Sequence, residues 1–206
     1  MHKLFLVLFF LIFSGCSTQK NRASYGALLE EFKYPFEVKY FAFTSQNQTL
    51  KMAYMDLMPA TEKENAKTVV LLHGKNFSGY YWERVAKELL QLNYRVIIPD
   101  QIGFGKSSKP NSYQHSFGQF SINTNKLLDS LGVSNYELVG HSMGGMLAIT
   151  NAYLNPRKVS KLILINPIGL ENYLDYSKFK DPDFFFEREK AKTPQKIRAY
   201  QKKELL

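Results

Sequence analysis

Ser142 stands in the run Gly140-His141-Ser142-Met143-Gly144, a G-x-S-x-G pattern. Glycines at those two offsets allow a turn too tight for larger residues, and such a turn holds the serine hydroxyl clear of the chain. The chemistry that uses a hydroxyl held this way is nucleophilic attack on a carbonyl carbon, which generates an oxyanion that backbone N–H groups can stabilise. Glycine-rich turns ahead of helices also occur without catalysis, so the flanks carry weight. The short strand Glu137–Val139 leads into the turn and Met143–Leu154 reads as an apolar, Ala-containing helix, the strand–turn–helix setting a serine nucleophile requires. Two further polar sites follow apolar strand-like runs: His73-Gly74 after Thr68–Leu72, and Asp100 after Tyr94–Ile98 and Pro99.

The elements that must position these residues alternate along the chain. Phe36–Thr44 and Leu50–Leu57 read as strands joined through Ser45-Gln46-Asn47-Gln48, an antiparallel hairpin. The continuous apolar run Thr68–Leu72 reads as a strand buried on both faces, Tyr94–Ile98 as the next buried strand, and Tyr136–Val139 and Lys161–Ile165 as further strands, the last of them an exposed apolar edge if nothing covers it. Helical spacing predicts helices over Ser78–Leu92, near Gln119–Leu131 and over Met143–Leu154. Strands alternating with helices predict an α/β fold built on a mainly parallel, doubly wound sheet, whose sites lie at the carboxyl ends of the strands. His73-Gly74, Asp100 and Ser142 all fall there.

The chain has 206 residues, 45% of them hydrophobic and 22% charged, which fits one globular domain. Its formal charge of +9 invites a nucleic-acid reading, but residues 187–206 alone hold seven Lys/Arg against three Glu. A basic tail without a nucleic-acid-binding motif reads as a solvated helix face, so nucleic acid is not an expected partner. No metal-ligand spacing is present, and no metal or cofactor is expected.

At the amino end, Lys3 precedes the apolar run Leu4–Phe13, followed by Ser14-Gly15-Cys16. Ten residues of helix span roughly 15 Å, half of a bilayer core, so residues 1–15 read as a signal peptide rather than a spanning segment. Cys16 is the only cysteine and cannot form an internal disulfide. Its place after two small residues resembles a bacterial lipoprotein signal, which implies lipidation at Cys16 and a membrane-anchored protein of the cell envelope, on the periplasmic side and at the outer membrane in a Gram-negative cell. Phe13 departs from the aliphatic residue that pattern prefers, and an ordinary cleaved signal with an incidental cysteine is the alternative. Residues 16–35 then form a tether and lead-in, 36–169 the α/β core, and 170–206, where aromatic and charged residues replace the β-branched runs, the start of a lid.

The motifs LLHGKNFSGYYW, VIIPDQIGFGKSSKP, VGHSMGG and LILINPIG, in that order from about Phe36 to Gly169, resemble the α/β-hydrolase fold family, in its branch of small esterases, haloperoxidase-like enzymes and carbon–carbon bond hydrolases. The resemblance implies Ser142 as nucleophile, with an oxyanion hole formed by the backbone N–H of Met143 and that of Lys75; Asn76 is the alternative donor. It implies that His73 and Gly74 shape the oxyanion loop, that Asp100 ties down the Gly103–Ser107 loop, and that Gly140 and Gly144 permit the serine turn. The implied substrate is an ester or related carbonyl compound, without a cofactor.

One part of the pattern is absent. In this fold the acid and the histidine follow the serine in chain order, and no histidine follows His141. His115 lies before Ser142, and Asp175, Asp181 and Asp183 lie in the lid-like segment. The sequence therefore reads as the amino-terminal part of a hydrolase, with its core incomplete at the carboxyl end and its catalysis impaired. A membrane-tethered remnant or binding protein, or one half of an enzyme whose acid and histidine arrive on a second polypeptide, are the alternatives.

Overall fold

The computed structural model describes residues 25–61, 66–175, 177–197 and 199. The expected signal peptide, Cys16 and the tether as far as residue 24 lie outside the described residues. Six strands form one sheet: β1 (Lys39–Ser45), β2 (Gln48–Leu57), β3 (Thr68–Leu72), β4 (Arg95–Pro99), β5 (Tyr136–His141) and β6 (Val159–Ile165). Their order across the sheet is β1-β2-β4-β3-β5-β6. The β1–β2 hairpin and the β2–β4 pair are antiparallel, whereas β4, β3, β5 and β6 run parallel. The hairpin closes through Gln46 and Asn47, at φ 49° and 58°, the left-handed pair that matches the twist of the flanking strands.

Helices cover both faces of the parallel strands, as alternation predicts. On one face Val70, Leu72, Ile97 and Leu138 pack with Phe120 and Leu128 of α2 (Phe117–Ser130) and with Leu147 and Ala148 of α3 (Met143–Leu154). On the other, Val69, Leu71, Val96, Ile98 and Val139 pack with Trp82 and with Ala86 of α1 (Glu83–Gln91). Neighbouring residues along β3 thus serve opposite faces. That explains the continuous apolar sequence of this strand: both faces are core.

Several element ends differ from the sequence expectation, each for a packing reason. The Ser78–Leu92 helix opens as a short 3-10 turn, Gly79–Trp82, before α1 begins. There a side chain on Gly79 would approach Ile98 Cγ2 to 2.8 Å, and the Gly79 N–H is engaged by Asp100. The first strand starts at Lys39 rather than Phe36, because Phe36 and Val38 pack against the α1-side core instead of pairing. Ahead of them, the lead-in is packed down as well: Phe32 meets Tyr80 edge-on at 5.0 Å and Lys106 Nζ donates to the Leu29 carbonyl.

Beyond β6 the chain turns at Gly169 (φ 86°) and reaches α4 (Pro182–Lys190), which has no buried residue. Asp181 caps α4, accepting from Phe184 N at 2.7 Å, and Pro182 opens it, a pairing suited to a helix start. β6 is an edge of the sheet among the described residues. Leu162, Ile163 and Ile165 are exposed, unlike the apolar residues of β3 and β4. No described helix is long and apolar enough to cross a membrane.

Candidate active site

Ser142 occupies the single residue between β5 and α3, at φ 53° and ψ −114°. A non-glycine residue in this region is strained and persists only where its surroundings hold it. Four backbone bonds do so. Ser142 N donates to Ile165 O at 3.0 Å, and Ser142 O accepts from Gly145 N at 3.0 Å, Ile168 N at 3.2 Å and Met146 N at 3.3 Å. The glycines permit the close approach. A Cβ on Gly140 would lie 2.3 Å from Gly144 O, and one on Gly144 only 2.2 Å from Leu72 O. The turn is pressed against the end of β3, and the serine hydroxyl has no hydrogen-bond partner among the described residues.

Directly opposite runs the loop after β3. A Cβ on Gly74 would meet Ser142 Cβ at 3.3 Å and His141 Nδ1 at 3.1 Å, so this loop and the serine turn are in van der Waals contact through a glycine. Met143, the first residue of α3, has an N–H without an intrahelical acceptor, at the helix end where the dipole favours negative charge. The Lys75 N–H likewise has no acceptor among the described residues. Its side chain turns to α4, where Lys75 Nζ binds Glu189 Oε1 at 2.9 Å. Lys192 first, and Lys75 after it, hold the Glu189 carboxyl down to about 2. Lys75 thus ties the loop after β3 to α4.

His73 and Asp100 stand behind this front. His73 is fully buried; its Nε2 accepts from Gln101 N at 3.0 Å, which leaves Nδ1 protonated and donating to Gly74 O at 2.9 Å. Burial lowers its pKa against the opposing pull of Asp100, and the neutral ring has no nitrogen left for a substrate. Asp100 accepts from Gly79 N at 2.6 Å, Tyr34 OH at 2.7 Å and Lys106 N at 2.8 Å. Ser107 Oγ donates to the Asp100 carbonyl at 2.6 Å. One carboxylate therefore joins the lead-in, the start of the α1 segment and the Gly103–Ser107 loop. Burial, then Asp100, pushes the Tyr34 phenol up.

The remaining histidines are also committed. Tyr81 OH meets His141 Nδ1 at 3.1 Å and accepts from Gly74 N at 3.2 Å. Burial lowers the His141 pKa. The His115 ring packs on Tyr113 and Phe120, with its Cε1 3.0 Å from where a Gly103 Cβ would stand; burial lowers its pKa as well. Neither hydrogen-bonds to the Ser142 hydroxyl. Asp175 accepts from Asn172 Nδ2 at 2.8 Å and Asp181 caps α4, so both serve local structure.

Ser142, Met143, Gly74 and Lys75 are thus brought together at the carboxyl ends of β3 and β5. Tyr34 and Tyr81 are the parts that sequence reasoning missed. In a sequence, an aromatic beside Trp82 or in an irregular lead-in reads as packing. Only the fold shows which phenol has a buried polar group to meet.

A family model described as the α/β hydrolase fold matches residues 67–197. A crystal structure of a probable hydrolytic enzyme from Pseudomonas aeruginosa PAO1 is 47% identical and superposes with a TM-score of 0.82, covering 86% of this chain and 56% of that one. Lipase 1 of Psychrobacter immobilis is 30% identical over 168 residues, 80% of this chain and 51% of the lipase. A probable 1-acylglycerol-3-phosphate O-acyltransferase from Oryza sativa subsp. japonica is 31% identical over 129 residues, 60% of this chain and 31% of the rice protein. The chain spans about half the length of the lipase it matches and less of the acyltransferase. With the family model covering most of the described core and the sheet, turn and loop geometry in place, this chain belongs to the α/β-hydrolase fold family.

Proposed function

We propose that this chain carries the nucleophile and oxyanion hole of a serine hydrolase that cleaves an ester or related carbonyl compound through an acyl-enzyme. The observation that carries the proposal is Ser142, held at φ 53° with an unpartnered hydroxyl on the one-residue turn between β5 and α3. Attack by Ser142 Oγ forms a bond to the carbonyl carbon and moves its π electrons onto oxygen, where the Met143 and Lys75 N–H groups stabilise the charge. Collapse expels the alcohol and leaves an acyl-serine, and water then releases the acid. The lipase among the relatives supports an ester substrate.

The proton of Ser142 needs an acceptor that His73, His115 and His141 do not supply. In this reading the acid and the histidine are not among these 206 residues and catalysis by them alone is impaired; an acid and a histidine carried by a second polypeptide are the alternative. A fluorophosphonate probe tests the nucleophile: labelling of wild type that disappears in Ser142→Ala is expected. Folded wild-type protein that stays unlabelled would sink the proposal and leave the non-catalytic, membrane-tethered binding protein. The residue order Leu4–Phe13, Ser14, Gly15, Cys16 supports a lipid anchor at Cys16 and a cell-envelope location. Incorporation of labelled palmitate that persists in Cys16→Ala would refute that anchor.

A further inference from the structure

The Tyr81 hydroxyl joins the two halves of the candidate oxyanion hole. It accepts the Gly74 N–H at 3.2 Å from the loop after β3 and hydrogen-bonds to His141 Nδ1 at 3.1 Å on the residue before the serine. No other side chain among the described residues bonds to both segments. The ring itself is fixed independently of that hydroxyl: it stacks on Trp82 at 4.8 Å and 30°, and Phe77 meets its edge at 5.2 Å. Trp82 is buried, so the phenol is carried by the core on the α1 side and projects from it between loop and strand.

From this geometry we infer that Tyr81 is the positioning residue of the oxyanion hole, setting the distance between the Lys75 N–H and Ser142 through Gly74 and His141. The inference rests on the serine-hydrolase reading of the same site. The chemistry supports a division of labour among consecutive N–H groups. The Gly74 N–H is occupied by the phenol and cannot serve an oxyanion. The Lys75 N–H, one residue on, has no acceptor of its own, and its loop is free to shift unless something ties it to the serine turn. Gly74 touches that turn only by van der Waals contact, which resists approach but not separation. The phenol supplies the directional tie.

The role also engages His141, whose Nδ1 is held by the Tyr81 hydroxyl at 3.1 Å.

Tyr81→Phe keeps the ring and its stacking and removes only the tie. Two measurements on the full chain test the inference. In amide hydrogen exchange, the Gly74 N–H is expected to exchange at least about ten-fold faster in Tyr81→Phe, with the thermal transition retained. In fluorophosphonate labelling, the limiting rate of inactivation is expected to fall on the order of ten-fold with the probe's half-saturation concentration unchanged, since a misplaced oxyanion donor weakens the transition state rather than the encounter. His141→Gln should slow labelling too, and adding it to Tyr81→Phe should have little further effect, because both substitutions break one tie. Wild-type labelling that Tyr81→Phe leaves unaltered, or a Gly74 amide equally protected in both proteins, overturns the positioning role while the nucleophile stands. Absence of labelling in wild type overturns the hydrolase reading and this role with it.

Discussion

Gly144→Ala probes the contact on which the serine turn depends. A Cβ at position 144 would stand 2.2 Å from Leu72 O, 2.6 Å from Leu72 C and 2.7 Å from His73 O. Carbon and oxygen in ordinary contact sit about 3.3–3.6 Å apart, so the start of α3 must retreat from the end of β3 by roughly 1 Å. Leu72 and His73 are both fully buried and the clashing atoms are backbone, so rotation of a side chain gives no relief. Overpacking of this kind costs about 1–3 kcal/mol, and rigid surroundings place this case near the top of the range. In a chain of this size that lowers the thermal midpoint by roughly 6–12 °C. The same retreat carries the Met143 N–H and Ser142 away from the Gly74–Lys75 loop, and a misplacement near 1 Å slows chemistry about 100-fold. The assay pairs a circular-dichroism melt with fluorophosphonate labelling below the new midpoint. Gly132→Ala is the control: at φ 70° with nothing within 4 Å, it incurs only the left-handed penalty of about 1–2 kcal/mol. It should melt somewhat earlier and label like wild type. Gly144→Ala protein that melts within about 2 °C of wild type and labels at the wild-type rate would refute the close-approach argument.

Two further outcomes follow from buried and exposed groups. Burial lowers the His73 pKa from 6.5. As pH falls below 6.5, the unfolded chain therefore gains a proton that the folded chain does not take up. Stability should be flat in this contribution above 6.5 and decline below it, by about 1.4 kcal/mol per pH unit until the lowered folded pKa is reached. His115 and His141 shift in the same direction. Urea unfolding at pH 7.5 and 5.5 measures the slope, and His73→Asn should flatten it; equal stability of wild type at both pH values would contradict a buried neutral ring. On β6, Ile163 is 47% exposed on the open edge of the sheet. The 206-residue polypeptide should self-associate with rising concentration, and Ile163→Lys should suppress this. Light scattering that reports a monomer for wild type at on the order of 100 μM would count against it.

The parallel core was legible because its physics is local in sequence. A strand buried on both faces is apolar along most of its length, and Thr68–Leu72 and Tyr94–Ile98 read that way because α1 covers one face while α2 and α3 cover the other. The serine turn was legible for a related reason: Gly140 approaches the Gly144 carbonyl and Gly144 approaches the end of β3 so closely that neither position has room for a side chain. Element ends were less legible, since Gly79 gave up a full helical start to pack on Ile98 and to donate to Asp100. The polar ties were not legible at all. Tyr34 and Asp100 are 66 positions apart, and Tyr81 and His141 are 60 apart. Nothing in the local pattern around either tyrosine distinguishes a phenol that meets a buried acceptor from one that fills space.

The separation between placing Ser142 and activating it has a physical basis. Placement rests on backbone: four main-chain bonds at the turn, two N–H groups and glycines that let β3 and α3 touch. All of these lie between β3 and the segment just after β6, so this chain contains them. Activation rests on a side chain that must accept a proton within hydrogen-bond reach of Oγ. Each described histidine has instead been drawn into holding the scaffold: His73 to Gln101 and Gly74, His141 to Tyr81, and His115 over the Gly103 loop. On the proposed reading of Ser142, an oxyanion hole without a base would retain on the order of 10³–10⁴-fold acceleration over water. Slow labelling of Ser142 that depends on the Gly74–Lys75 loop is therefore the behaviour that this architecture supports, and the loop dependence, more than the rate, distinguishes a built site from an incidentally reactive serine.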